Sequence, residues 1–192
     1  MSFFSAITLY GGDRLICAIV ILTPLMQYVL LKHEKYNDFH VDFLLDYGAE
    51  RLLTWQFSDK KLAQILPPHG IFLDISMSPD RTTDKIKTIA RRIFDHRRHY
   101  LEFEGELDAQ RGSVTRIDRG EWELVSLDDQ QLTINTASRH VANFEQIWTF
   151  HFPKKMSCPC LDFHRHDFHP FELGKWLPES NDDIWNVVLC RK

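Results

Sequence analysis

Cysteine is scarce in this chain of 192 residues, which carries four, at Cys17, Cys158, Cys160 and Cys190. They are too few and too scattered to staple a fold of this length, so a disulfide framework is excluded and a hydrophobic core must hold the fold. A basic excess is missing too: 23 Lys and Arg face 27 Asp and Glu, for a formal net charge of −4. That excludes a strongly basic nucleic-acid protein but leaves local patches open, and basic residues do gather between Lys85 and Arg98 and at Arg111, Arg116 and Arg119. Internal repeats are absent. A long uninterrupted apolar run is also lacking, because Thr23, Pro24 and Gln27 break the stretch from Leu15 to Leu31 and make it marginal as a membrane span. No basic region precedes it and Asp13 sits just upstream, unlike a signal peptide. The favoured reading is that Met26 is the functional start and residues 1–25 are an apolar upstream extension. A local strand or helix comes second, an anchor or signal third. What remains is an ordinary globular composition, 44% hydrophobic and 26% charged, enough for one domain with an extension.

Short β-rich segments dominate the pattern. Tyr28–Lys32, Phe39–Leu45 and Arg51–Phe57 read as strands, with Trp55 packed, and Ile71–Ser76 as a further short one. Ser78-Pro79-Asp80 resembles a helix start, and Ile86, Ile89, Ala90 and Ile93 recur at helical spacing, predicting a helix over Asp84–His96. Leu101–Gly105 reads as extended. Ser113–Ile117, Glu121–Val125, Gln131–Asn135 and Phe144–Phe152 alternate between turn residues such as Asp118-Arg119-Gly120 and Asp128-Asp129. Many short strands at close spacing predict a mainly β fold, an antiparallel sandwich or small barrel with one or two short helices. From Met156 onward Cys, His, Phe and Pro dominate without a period, so 153–192 reads as an appended Cys/His-rich extension of a domain spanning 26–152.

Two histidines and an aspartate crowd into ten residues, His33, His40 and Asp42. Neutral imidazoles and a carboxylate suit a divalent transition metal. His40 and Asp42 share a face on a strand, and a hairpin would bring His33 to them. Three ligands leave open positions, as catalysis needs. A polar hairpin with hydrogen-bonded histidines is the plainer alternative. A facial-triad iron oxygenase is a further one, although no later His is followed by a co-substrate Arg at the expected offset and His33 would be left idle.

Four blocks in order make the chain similar to the 3′-phosphoesterase module of bacterial DNA ligase D and its small stand-alone relatives. They are Tyr28–His33 with Phe39-His40-Val41-Asp42-Phe43; Leu53-Thr54-Trp55; Asp95-His96 followed by Tyr100 and Glu104-Gly105; and Arg111-Gly112 through Asp118, Gly120 and Trp122. The resemblance implies a compact antiparallel β-barrel that removes 3′-terminal ribonucleotides or phosphates from DNA ends in repair, with Mn²⁺ or a similar divalent ion. It implies His33, His40 and Asp42 as metal ligands and His96 and Tyr100 at the scissile phosphate. DNA or DNA/RNA 3′ ends are the implied partners, with a DNA ligase or polymerase beside them, in a cytoplasmic monomer without stable membrane association. Three departures stand out. The gap from His33 to His40 is one residue longer, Leu44 replaces an Arg that would clamp phosphate, and Phe94 replaces an acidic residue. The Leu44 and Phe94 departures motivate an alternative, a non-catalytic DNA-end or repair-partner binding module of the same fold.

Arg97, Arg98, Arg111 and Arg116 could hold a nucleic-acid backbone by charge, though Arg97 and Arg98 read first as solvated surface. Trp55 and Trp122 read as core aromatics. In the tail, Cys158, Cys160, His164 and His166 offer thiolate and imidazole donors for a second metal. Their spacing is not that of a zinc finger, and an irregular extension is the favoured reading.

Overall fold

Period-two alternation, not helical spacing, organises nearly all of the molecule. The structure, a computed structural model, describes residues 4–11, 14–21, 26–59, 62, 85–154, 173–177 and 183–191. β1 (Phe4–Gly11) and β2 (Arg14–Ile21) pair antiparallel as a two-stranded sheet of their own. The remaining strands are β3 (Met26–Lys35), β4 (Asp38–Leu45), β5 (Arg51–Phe57), β6 (Lys85–Arg97), β7 (Gly105–Glu106), β8 (Ser113–Leu127), β9 (Gln131–Ser138), β10 (Glu145–His151) and β11 (Ile184–Arg191). They form one nine-stranded antiparallel sheet in the order β3-β4-β5-β6-β11-β10-β9-β8-β7, and pairing of β3 with β8 closes it into a barrel-like ring. A 3-10 turn at Arg98–Leu101 and a one-turn helix, α1 (Leu173–Trp176), complete the described elements. Closure leaves β3 and β8 without a free edge where they pair.

The ring encloses the core. Tyr28 and Leu30 of β3, Val41, Phe43 and Leu45 of β4, and Leu53, Trp55 and Phe57 of β5 point inward, meeting Trp148, Phe150 and Trp185 from the far wall. Trp55 and Phe150 ring centroids lie 4.6 Å apart, and Phe43 and Trp148 4.9 Å. Trp122 is also buried and donates from Nε1 to the Asp46 carbonyl at 2.9 Å. The intervening residues face outward, and beside β3–β5 they make a second apolar layer of Val29, Leu31, Leu44 and Leu52, capped by Leu101 and Tyr100 of the 3-10 turn.

Four expectations are corrected. Asp84–His96 is no helix: Lys85–Arg97 is a strand between β5 and β11. Ile86, Thr88, Ala90 and Arg92 turn inward at a period of two, while Ile89, which completed the helical stripe, is exposed. Two candidate strands flanking Asp118-Arg119-Gly120 are one strand, β8, bulged where Leu30 faces Asp118 and Leu31 faces Arg116. Gly120 is needed there for close approach, not for a turn, since a Cβ would lie 1.8 Å from the Ala137 carbonyl oxygen. The tail is not wholly an appendage. Trp185, Val187 and Leu189 alternate into the core from β11, which fills the gap between β6 and β10. Leu101–Gly105, read as extended, instead leaves the 3-10 turn and enters β7 only at Gly105. Ile71–Ser76 and Ser78–Asp80 lie outside the described residues.

Candidate metal centre

The β3–β4 hairpin sets His33 directly opposite His40, with Asp42 two residues on. Because Leu30 and Val41 fill the interior, His33, His40 and Asp42 share the outward face, at the rim of the apolar layer formed by Leu31 and Leu44. The two imidazoles meet edge to face at 4.6 Å between centroids. Asp42 Oδ2 lies 3.5 Å from His40 Nε2 and 3.9 Å from His33 Nδ1, and one ligand atom from each residue falls within 4.8 Å of the others. Ligands about 2.1 Å from a metal at tetrahedral or octahedral angles sit roughly 3.0–3.4 Å apart, so the group is nearly closed to metal-binding separation.

Two further observations fit these residues to a metal ion. Asp42 is only 3% exposed, and its Oδ1 is buried with no hydrogen-bond partner. A buried carboxylate oxygen left without a partner is costly unless something positive meets it. His33 Nε2 lies 2.8 Å from the Arg111 carbonyl oxygen and donates to it, leaving the Nδ1 lone pair directed at Asp42. A carbonyl on the far nitrogen is how metal-ligating histidines are held in one tautomer. The backbone makes that contact available: Gly112, at φ +91°, packs so close to β3 that a Cβ would lie 1.9 Å from the Glu34 carbonyl oxygen. Any other residue there would push the Arg111 loop off His33.

His96 reaches the same outer face through a bulge. Along β6 the even residues up to Arg92 turn inward, and an unbroken strand would send His96 inward as well. Between Thr54↔Ile93 and Leu52↔His96 the pairing gains one residue on β6, and this inverts the alternation. Thr54 Oγ1 donates to the Leu52 carbonyl at 3.0 Å and accepts the His96 backbone N–H at 3.3 Å. On the inner side, the buried Arg92 guanidinium lies over Trp55, donates to the Thr54 carbonyl at 3.1 Å and pairs with Asp95. His96 Nδ1 lies 3.1 Å from the Phe94 carbonyl oxygen. Donation there fixes the neutral tautomer and leaves Nε2 as the basic nitrogen. Burial lowers the His96 pKa below the usual imidazole value, with a smaller pull upward from the Asp42 carboxylate and a further push downward from His33.

Tyr100 is not on a continued helix, yet it still meets His96, at 5.2 Å between ring centroids, because the 3-10 turn brings it back over the apolar layer. Rings continue on both sides. Phe94 stacks on His96 at 5.1 Å and an interplanar angle of 4°, while Tyr100 meets His99 and Phe103. The sequence reading marked Phe94 only as a departure and missed this row. Its signal was the aromatic spacing Phe94, His96, Tyr100, Phe103, obscured by the predicted helix.

The arginines separate. Arg116, expected on a nucleic-acid surface, is buried: it donates from Nη2 to the Leu101 carbonyl at 3.2 Å and pairs with Glu104 at 3.3 Å. It anchors the 3-10 turn, because the β8 bulge sets it opposite Leu31 under that turn. Arg98 pairs with both carboxylate oxygens of Asp46 and donates to the Ala49 carbonyl at 3.0 Å. Arg97 and Arg111 are exposed, the latter donating from Nε to the Asp108 carbonyl at 2.9 Å. Cys158, Cys160, His164 and His166 lie outside the described residues. No helix among the described residues is long and apolar enough to cross a membrane.

Compared with protein-family models and with curated proteins, the chain matches none.

Proposed function

We propose that this protein is a metal-dependent phosphoesterase that removes 3′-terminal ribonucleotides or phosphates from DNA ends, in the manner of the ligase D module it resembles. The observation that carries the reading is the convergence of His33, His40 and Asp42, one of whose buried carboxylate oxygens has no partner, on the outer face that the β6 bulge also gives to His96, its tautomer set by the Phe94 carbonyl. His33, His40 and Asp42 would hold Mn²⁺ or another divalent transition ion. Such an ion supplies Lewis-acid polarisation of a phosphoryl oxygen and a more acidic bound water. Neutral His96 accepts a proton at Nε2 or, once charged, returns it to a leaving oxygen. The Tyr100 hydroxyl donates a hydrogen bond to a phosphate oxygen. The apolar layer of Leu31, Leu44 and Leu101 beside them excludes water from one wall of the site. Purified protein with Mn²⁺ is expected to shorten a primer–template ending in a 3′-ribonucleotide, or to dephosphorylate a 3′-phosphate. Folded protein inactive with every divalent ion tried would contradict the reading.

One observation favours a second reading, a binding module that loads DNA ends without turnover. Leu44 stands where the resembled family carries a phosphate-clamping Arg, and it is fully buried under the 3-10 turn. On that reading, end binding survives replacement of His96 and no product forms.

A further inference from the structure

Phe94 is 68% exposed on the same outer face as the metal-ligating group, with one ring face lying flat on His96. A phenyl ring in a strand ordinarily gains by burial, and here the β6 bulge carries it the other way. Its inner face is occupied by the imidazole that the proposed chemistry uses, so its outer face lies one ring beyond the reacting centre. On the phosphoesterase reading, a nucleotide with its phosphate at His96 would have that exposed ring face within reach of its base. Tyr100, which meets His96 edge to face, extends the aromatic surface further through His99 and Phe103. Leu44 offers no charge to hold the phosphate, so a contact to another part of the nucleotide would add to what the proposed metal site and Tyr100 supply.

We infer that Phe94 is a base-stacking platform, and that the site selects a single-stranded or frayed nucleic-acid 3′ end whose terminal nucleobase stacks on it. The inference rests on the phosphoesterase reading for the position of the phosphate. It defines the substrate class more narrowly: a terminal nucleotide carrying a base, of any sequence, because every base presents a π face. A base-free phosphate ester lacks the contact.

The test is equilibrium binding of the full chain, in Mn²⁺, to a short single-stranded oligonucleotide with 2-aminopurine at its 3′ end and to the same oligonucleotide with an abasic 3′ residue. The wild-type protein should quench the 2-aminopurine and bind it about 10- to 100-fold more tightly than the abasic form, the range that one base–aromatic stack accounts for. Phe94→Ala should lose that preference and Phe94→Trp should keep it. A merely structural role for Phe94 would weaken both oligonucleotides alike and leave the preference standing, which would overturn the inference. Equal wild-type affinity for the two oligonucleotides would overturn it too, as would no binding at all. Cleavage of a 3′-phosphate is scored separately. Cleavage without base preference removes the platform and keeps the phosphoesterase; base preference without cleavage keeps the platform and removes the catalytic reading.

Discussion

Replacing Tyr28 with Phe removes one oxygen from the barrel interior, and its consequence can be worked out in sign and size. The Tyr28 hydroxyl donates to Asp118 Oδ2 at 2.6 Å, and Ser138 Oγ donates to Oδ1 at 2.6 Å. Asp118 is fully buried at the β8 bulge that sets the β3 register, and that register turns His33 outward. Burial raises the Asp118 pKa above its ordinary 3.8, and the hydrogen bonds from Ser138 and Tyr28 pull it part of the way back. The folded state therefore holds a proton that the unfolded chain gives up. As far as this group is concerned, stability is highest at acid pH and declines as pH rises from 3.8 to the folded pKa. Tyr28 itself stays protonated, its phenol pushed far up by burial and by the Asp118 carboxylate. A hydrogen bond to a charged group contributes about 1.5–3 kcal/mol, so Tyr28→Phe should cost about 2 kcal/mol at a pH above the folded Asp118 pKa, where the carboxylate is ionised. For a chain of this size that is a melting temperature lower by roughly 4–8 °C. The loss should shrink as pH falls through the folded Asp118 pKa, because a protonated carboxyl needs the donor less. Urea denaturation of both proteins between pH 4.5 and 8 measures it. A loss that is the same at every pH, or below about 0.5 kcal/mol throughout, would refute the reasoning.

His96→Gln should lower the turnover number by about 100-fold or more. It should also abolish an acid limb in the pH–rate profile that lies below pH 6.5, the ordinary imidazole value, because burial lowers the His96 pKa and only its neutral form accepts a proton; a limb that persists in the variant contradicts the role. Gly120→Ala brings a Cβ to within 1.8 Å of the Ala137 carbonyl oxygen and should cost about 1–3 kcal/mol, read as a lower urea midpoint. Leu101→Ala uncovers Val29, Leu31, Leu44 and Leu52, and should cost about 2–4 kcal/mol and speed amide exchange in the 3-10 turn, whereas unchanged exchange there would show that Leu101 does not hold Tyr100 in place.

The hairpin of the candidate site was legible because it is local: His40 follows His33 by seven positions across a two-residue turn, Asp42 comes two positions later, and pairing needs no distant partner. The alternation in β4, β5, β9 and β10 was legible for the same reason, one wall facing the core and the other facing out. β6 was not, since Ile86, Ile89, Ala90 and Ile93 satisfy a helical period by coincidence and its true inward row includes the polar Thr88 and Arg92. A one-residue bulge then reverses the row, so no fixed period describes the strand. β11 was missed because a Cys/His-rich stretch precedes it, and its place between β6 and β10 depends on pairing across nearly 100 positions. The buried Arg116 was misassigned for a related reason: charge in a sequence says nothing of the 3-10 turn that folds over it.

The central claim, that His33, His40 and Asp42 gather around one divalent ion, is tested most directly by Mn²⁺ titration of the full chain, with free ion read by electron paramagnetic resonance. One saturable ion per chain is expected, lost on Asp42→Asn and on His33→Ala while both variants keep the wild-type circular dichroism spectrum. No saturable binding by the wild-type chain, or binding that survives in both variants, would contradict it.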